Sequence, residues 1–186
     1  MPLLRDDVDT DQIMPKQFLT RVERTGYGEF VFDTWRKDRS SVFHDARFQG
    51  ANILLAGRNF GSGSSREHAV WGLQQYGFDA VIAPSFSDIF VGNCVQSRLM
   101  PAVLPEDTCA RINAMIQGDP STELVLDLDH QIIAYGVAVE TFQIDADSRQ
   151  VLMHGLDDVS LILRHEEELL AYEKRRPAWV PEVVIT

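Results

Sequence analysis

Two serines and an arginine follow one another near the middle of the chain, at Ser64, Ser65 and Arg66. A guanidinium group binds a carboxylate through two parallel hydrogen bonds, and neighbouring hydroxyl groups can add contacts or exchange a proton. Gly61 and Gly63 precede these residues, so the backbone can turn sharply and approach a ligand closely. This combination of residue types predicts a site for a small organic acid.

The segments on either side predict how this site is positioned. The apolar run at 53–56 predicts a buried strand, and apolar residues at helical spacing further on predict a helix that stops at Gly77. Ser64 and Glu67 have the spacing of a capping box, so we expect Ser64 to cap this helix. The partial positive charge of the helix start would then favour an anion beside Arg66.

The remaining patterns predict an α/β fold. After the central helix, we expect a strand at 79–84, a short helix capped by Ser85, a strand at 99–104, and a helix at 106–117. Pro101 in the strand at 99–104 indicates a sheet edge or a strand end. This alternation is typical of parallel strand–helix–strand units. The later part predicts strands at 123–128, 131–135 and 137–144, a helix at 145–154, and one helix over about 159–175.

Length and charge restrict the class of protein. The chain has 186 residues, so we expect one domain over 1–186, with a peripheral tail at 177–186. Its net charge of −11 argues against binding to nucleic acid, and it means that a carboxylate needs a local cation such as Arg66. No stretch approaches the roughly 18–20 apolar residues of a membrane span, and no leader is evident, so we expect a cytoplasmic protein.

Other kinds of chemistry find no support in the sequence. The segment at 165–169 lacks the second histidine of a zinc protease, and the five histidines show no metal-ligand spacing. The dinucleotide-binding pattern fails at Arg66, and no phosphate-binding P-loop is present. A serine hydrolase with His68 as its base is disfavoured, because His68 would lie four residues after Ser64 on the same helix and point away from the loop. Cys94 and Cys109 could form a disulfide or remain two free thiols.

A purely structural interpretation of the serine–arginine segment also remains open. Ser64 could simply cap the helix, and Arg66 could be a solvated residue of its first turn. However, a positive charge at a helix start costs up to about 1 kcal/mol. Such a departure from a local preference is expected at functional sites, so it favours a binding site.

Several segments resemble a known family. Residues 59–68 (NFGSGSSREH) closely resemble the signature of the aconitase-type swivelling domain. The small-subunit family of 3-isopropylmalate dehydratase has segments similar to DTDQIMPKQFL at 9–19, VIAPSFSDIF at 81–90 and GLDD at 155–158. The ending at 165–177 is similar as well, so the resemblance covers nearly the whole chain in order.

The resemblance implies a swivelling β/β/α domain with a mixed sheet and surrounding helices. It implies a hydro-lyase that interconverts 2-isopropylmalate and 3-isopropylmalate through isopropylmaleate in leucine biosynthesis, active only as a heterodimer with a large subunit. A [4Fe-4S] cluster is expected on that large subunit and no metal on this chain. Cys94 and Cys109 agree, because they cannot supply the three thiolates that such a cluster needs.

The resemblance also implies roles for individual residues. Ser64 matches the base that takes a proton from carbon, and Asp11 matches the active-site aspartate. Ser65 and Arg66 match groups that bind the substrate carboxylate. The candidate residues of a substrate-specificity loop are Thr20, Arg21 and Arg24. An apolar isopropyl group would require an arginine of this loop to point away from it or to bind the large subunit.

Some positions depart from the family pattern. Ser62 stands where cysteine is usual, and Val70 stands where proline is usual. The segment between Trp35 and Phe48 is shorter than in similar members of the family. These differences leave two alternatives open. One is the small subunit of a related hydro-lyase for another alkylmalate, such as methyl- or dimethylmalate. The other is a non-catalytic interaction subunit.

Overall fold

The described part of the chain forms two β-sheets with helices packed around them, so the α/β prediction is confirmed. The computed structural model describes residues 1–20, 23–64, 66–156, 158–163, 165–177 and 179. Within these residues, one sheet has four parallel strands and the other has three antiparallel strands. The parallel and antiparallel strands therefore lie in two separate sheets.

The parallel sheet has its strands in chain order. The strands are β1 (Pro2–Leu3), β2 (Ile53–Ala56), β3 (Ala80–Ala83) and β4 (Met100–Val103). Strand β3 is buried along its whole length, which explains its continuous apolar sequence. Pro101 lies in the edge strand β4, as predicted, because an edge tolerates a residue without a backbone N–H.

Helices connect the strands of this sheet. The connection from β1 to β2 holds α1 (Thr10–Ile13) and α2 (Asp33–Arg36), and the later connections hold α3 (Glu67–Tyr76) and α4 (Asp88–Ser97). After β4, α5 (Glu106–Gly118) leads to the second sheet. Gly77 ends α3 with a left-handed φ of 119°, as the sequence predicted.

The segment around Gly26 and Gly28 is packed against α3. Two glycines flanking a tyrosine favour a mobile loop in the sequence, but Tyr27–Phe30 forms a 3-10 helix and Tyr27 is only 1% exposed. The side-chain oxygen of Gln75 on α3 accepts a hydrogen bond of 2.8 Å from the Tyr27 backbone N–H. A Cβ atom at Gly28 would lie 2.5 Å from the Gln75 carbonyl carbon, so glycine permits this close approach.

The antiparallel sheet consists of β5 (Leu124–Asp127), β6 (Ile132–Tyr135) and β7 (Ala138–Thr141). Its strands alternate between a buried and an exposed face. Ile133 and Tyr135 are buried, whereas Val125 and Val139 are 57% and 62% exposed. This alternation is the pattern of a sheet with one covered face.

Three helices follow this sheet: α6 (Ala146–His154), α7 (Asp158–Leu163) and α8 (Glu166–Arg175). The prediction of one helix over 159–175 is wrong, because α8 begins after His165, whose φ and ψ of −105° and 33° are not helical. Pro177 follows the end of α8. Of the predicted tail at 177–186, only Pro177 and the exposed Trp179 lie within the described residues.

Candidate functional site

The candidate residues gather at the carboxyl edge of the parallel sheet. The segments that follow β1 and β2 continue the parallel pairing through an isolated bridge between Asp9 and Ser62, and a second bridge joins Phe60 to Phe86. The Gly61 backbone N–H donates a hydrogen bond of 2.8 Å to the carbonyl of Val8. Three loops thus meet where parallel sheets commonly bind ligands.

The glycine-rich loop lies close against α4. Gly61 has a φ of +75°, and a Cβ atom built on it would lie 2.2 Å from Cγ of Phe90. Phe60 and Phe90 form an edge-to-face aromatic pair with centroids 5.5 Å apart. Only glycine therefore fits at position 61, and the aromatic pair packs the loop against α4.

Ser64 lies in this loop before the helix begins. Its side chain is exposed, and within the described part of the chain its Oγ makes no hydrogen bond. Its backbone carbonyl accepts a hydrogen bond of 2.7 Å from Oγ1 of Thr10, a residue that is only 3% exposed. The Ser64 hydroxyl therefore faces solvent at a backbone position that a buried threonine holds.

The predicted capping box at Ser64 is wrong. The helix α3 begins at Glu67, and the residue at the N-cap position is Arg66, which has no side-chain capping bond. Bonds to the segment after β1 hold the loop in place, so Ser64 stays outside the helix. The same prediction for Ser85 is also wrong: α4 begins at Asp88, and the Ser85 Oγ accepts a hydrogen bond of 2.8 Å from the Asn59 backbone N–H.

Arg66 forms an ion pair with Asp11 across the two loops. Nη1 of Arg66 donates to Oδ1 of Asp11. The Arg66 side chain is 12% exposed and the Asp11 side chain is 42% exposed. The hydrogen bond from Arg66 holds the pKa of Asp11 below its usual value. The negative charge of Asp11 also offsets the positive charge of Arg66, which would otherwise be unfavourable at the start of α3.

The helix that carries Asp11 is a single turn with a strong cap. Oδ1 of Asp9 accepts a hydrogen bond of 2.7 Å from the Gln12 backbone N–H, and Oε1 of Gln12 accepts one of 2.9 Å from the Asp9 backbone N–H. This reciprocal capping box satisfies donors at both positions. It fixes Thr10 and Asp11 as neighbouring anchor points for the glycine-rich loop.

The candidate specificity loop lies beside a different part of α3. The guanidinium of Arg24 is 5.2 Å from the centre of the Trp71 ring, and the Arg24 carbonyl accepts a hydrogen bond of 2.9 Å from Nε2 of Gln75. Thr20 is exposed. Among the described residues, no hydrogen bond or ion pair joins Thr20 or Arg24 to the site residues above. Ser65 and Arg21 lie outside the described residues.

The described residues do not fit a metal centre or a membrane span. No group of three or more His, Cys, Asp or Glu side chains is placed to hold a metal ion in this part of the chain. Cys94 and Cys109 are free and buried, and burial raises the pKa of Cys109 to about 11. The thiols therefore do not suit an iron–sulfur cluster. None of the described helices is long and apolar enough to cross a bilayer.

Comparisons with known proteins decide the family. The family described as "Aconitase C-terminal domain" matches residues 1–107. The 3-isopropylmalate dehydratase small subunit of Parafrankia sp. (strain EAN1pec) is 51% identical over 181 residues, covering 97% of this chain and 93% of that protein. The chain belongs to the family of 3-isopropylmalate dehydratase small subunits.

Other members of the family agree with this assignment. The 3-isopropylmalate dehydratase small subunit of Rubrobacter xylanophilus is 49% identical over 185 residues, covering 99% of this chain and 94% of that protein. The crystal structure of 3-isopropylmalate dehydratase from Methanocaldococcus jannaschii superimposes with a TM-score of 0.65 at 26% identity, covering 93% of this chain and 96% of that chain. The fold expected for the small-subunit family is therefore confirmed.

Sequence reasoning missed Thr10. This residue sits inside the segment at 9–19, but nothing in its neighbourhood distinguishes it from a solvated turn residue. Its partner is a backbone carbonyl 54 positions away, and such a bond leaves no local periodicity. Thr10 is almost fully buried, and this burial can be recognised only in the folded structure, where the two loops lie together.

Proposed function

We propose that this chain is the small subunit of a 3-isopropylmalate dehydratase, a hydro-lyase of leucine biosynthesis. The enzyme interconverts 2-isopropylmalate and 3-isopropylmalate by dehydration to isopropylmaleate and rehydration. The observation that carries the proposal is an exposed Ser64 hydroxyl at the carboxyl edge of the parallel sheet, two residues from the Arg66–Asp11 ion pair.

Ser64 acts as the base that takes a proton from the substrate carbon. An ordinary serine hydroxyl is far too weak an acid to give an alkoxide, so its surroundings must stabilise the negative charge. The partial positive charge at the start of α3 and the guanidinium of Arg66 are the sources available in this chain. In rehydration to the other isomer, the hydroxyl adds to the carbon that lost this proton, and Ser64 delivers a proton to the neighbouring carbon that had carried the hydroxyl.

Arg66 and Ser65 bind a carboxylate of the substrate. A guanidinium has five N–H donors in a planar fork, and Asp11 accepts from one nitrogen, Nη1. Donors therefore remain for a substrate carboxylate, while Asp11 orients the fork. This arrangement suits a dicarboxylic acid in a protein whose net charge of −11 otherwise repels it.

The chain supplies only one wall of the active site. It offers a base and an anion-binding group, but no group of three or more possible metal ligands is placed together among the described residues. We propose that a large subunit forms a heterodimer with this chain and, as the family resemblance implies, carries the [4Fe-4S] cluster that would activate the leaving hydroxyl. We place this heterodimer in the cytoplasm and treat residues 1–186 as one swivelling domain.

Substrate selection falls to the loop that contains Thr20, Arg21 and Arg24. The contact of the Arg24 guanidinium with the Trp71 ring supports this proposal, because it gives the cation a partner on α3. A screen of methyl-, dimethyl- and isopropylmalate with the complete heterodimer tests it. The proposal predicts that isopropylmalate has the highest kcat/KM, and preference for a smaller substituent would favour a related hydro-lyase.

Reconstitution tests the proposed function. The chain is purified alone and together with its large subunit, and isopropylmalate conversion is followed by the absorbance of the enoate intermediate. The proposal predicts no turnover by the chain alone and turnover by the heterodimer. Turnover by the isolated, iron-free chain would contradict the shared active site, and an inactive but assembled heterodimer would favour a non-catalytic interaction subunit.

A further inference from the structure

We infer that Thr10 is the positioning residue for Ser64, and this inference rests on the proposed role of Ser64 as the base. Thr10 does not touch the substrate in this account. Its hydroxyl holds the backbone at Ser64, so that the serine side chain projects from a fixed point toward the substrate.

Two bonds from Thr10 hold the glycine-rich loop, one on each side of Gly63. The Thr10 backbone N–H donates to the Ser62 carbonyl over 2.9 Å, and Thr10 Oγ1 donates to the Ser64 carbonyl over 2.7 Å. Gly63 has a φ of +88°, which favours glycine, and a Cβ atom added to it would lie 3.4 Å from Cβ of Asp9. The loop can therefore turn at Gly63, while both of its flanks are tied to one threonine.

The side-chain bond of Thr10 is strong because of its surroundings. Thr10 is only 3% exposed, so water does not compete freely for its hydroxyl. The hydroxyl is rigidly placed, because the backbone of Thr10 belongs to the capped turn of α1. Removing it would leave the Ser64 carbonyl without this donor, and the loop would shift to find another partner.

Neighbouring residues of α1 hold the two groups of the site separately. Thr10 holds the backbone of Ser64, and Asp11 holds the side chain of Arg66. The two functions can therefore be separated by mutation. A change at Thr10 should move the base and leave the carboxylate-binding group in place, so kcat and KM should respond differently.

The test is Thr10→Val in the reconstituted heterodimer with isopropylmalate as substrate. Valine keeps the shape of threonine but lacks the hydroxyl. We expect kcat to fall by about tenfold to a hundredfold, because small displacements of a reacting group have effects of this size. KM should change by less than about threefold, because the Arg66–Asp11 pair is retained. An unchanged kcat would overturn the inference.

Two further variants at this position complete the series. Thr10→Ser restores the hydroxyl and should return kcat to within about threefold of the wild type. Thr10→Ala removes the same hydroxyl with a smaller side chain, so it gives the same test if the valine variant does not assemble. Failure of serine to rescue kcat in an assembled heterodimer would also overturn the inference.

Thr108 provides a matched control. Among the described residues, Thr10 and Thr108 are the buried polar residues, and Thr108 Oγ1 accepts a hydrogen bond of 2.8 Å from Nη2 of Arg111 on α5. Thr108→Val should lower the thermal midpoint of unfolding and leave kcat unchanged. An equal fall in kcat for both valine variants would mean that Thr10 acts only through stability.

A double-mutant cycle links the effect to Ser64. If Thr10 acts through Ser64, then Thr10→Val should cause no further loss of the residual turnover in a Ser64→Ala background. A multiplicative further loss would contradict the inference. The two proposals fail separately: full activity of Ser64→Ala would remove the base, whereas full kcat of Thr10→Val beside an impaired Ser64→Ala would remove only the positioning role.

Discussion

The site contacts at the carboxyl edge of the parallel sheet are partly buried, whereas the ion pairs of the antiparallel sheet are exposed. At the edge, polar contacts join residues far apart in the sequence: Thr10 to Ser64 over 54 positions and Asp11 to Arg66 over 55 positions. At the hairpin of the antiparallel sheet, His130 pairs with Asp127 only three positions away, and the histidine side chain is 72% exposed.

This difference shows where the fold requires fixed geometry. Partly buried contacts between distant segments hold the edge loops in one arrangement, as a site that binds and deprotonates a small acid requires. Exposed ion pairs contribute little, because water and salt screen them. Consistently, α8 contains no buried residue among its described positions, whereas α3 buries four.

The comparison is tested most strongly by neutralising one arginine in each region. Arg66→Gln should lower kcat/KM by a factor that corresponds to about 2–4 kcal/mol of lost transition-state stabilisation. The substitution removes the carboxylate-binding group and leaves Asp11 without its partner. Arg111, whose side chain is 50% exposed, pairs with Glu140 on β7. Arg111→Gln should leave kcat/KM unchanged and cost at most about 1 kcal/mol of stability.

Steady-state kinetics of the reconstituted heterodimer and urea denaturation measure the two effects. A similar fall in kcat/KM for both variants would mean that the site is not confined to the carboxyl edge. An unchanged kcat/KM for Arg66→Gln would remove the proposed carboxylate-binding group.

A glycine in each region gives the next largest contrast. Gly61→Ala should destabilise the chain by about 1–3 kcal/mol, because the new Cβ would lie 2.2 Å from Phe90 at a left-handed φ. Gly118, at the end of α5, has open space where a Cβ atom would lie and no left-handed φ. Gly118→Ala should stabilise the chain by about 0.4–1 kcal/mol.

Urea denaturation of both glycine variants measures this contrast. Equal stability of the two variants would show that the contact between the glycine-rich loop and α4 is loose. The same result would weaken the account of a rigid carboxyl edge.

The smallest expected effects are opposite responses to pH. Hydrogen bonding to Arg66 lowers the pKa of Asp11 from its ordinary 3.8, so this pair stabilises the fold above pH 3.8 and loses its effect as pH falls through the lowered pKa. Hydrogen bonding to Asp127 raises the pKa of His130 from 6.5, so that pair stabilises the fold below pH 6.5 and loses its effect as pH rises through the raised pKa.

Stability measured across pH distinguishes the two regions. The difference between the wild type and Asp11→Asn should be constant above pH 3.8 and shrink in acid. The difference between the wild type and His130→Gln should be present below pH 6.5 and disappear in mild alkali. The reverse order of these windows would contradict the pairings seen in the structure.

Local patterns predicted much of the fold. Apolar runs predicted β2 and β3, Pro101 predicted an edge strand, and Gly77 predicted the end of α3. These features depend on residues a few positions apart, so the sequence carries them directly. The identity of Arg66 as a site residue also followed from its own chemistry and its place beside a glycine-rich loop.

Distant contacts account for what the sequence did not predict. Ser64 and Ser85 have the spacing of helix caps, but their backbone and side-chain groups are bonded to other loops instead. The break at His165 lies in a stretch whose composition suits a continuous helix. The role of Thr10 depends on a partner 54 positions away. For the two serines, tertiary contacts outweighed a local preference of about 1 kcal/mol.

Substitution of Ser64 tests the central claim most directly. Ser64→Ala is reconstituted with the large subunit, its assembly is confirmed by size-exclusion chromatography, and isopropylmalate conversion is followed under saturating substrate. The account predicts that the variant assembles, that KM stays within about threefold, and that kcat falls by about 10²- to 10⁴-fold, as expected for loss of a general base. An assembled Ser64→Ala heterodimer with the kcat of the wild type would contradict it.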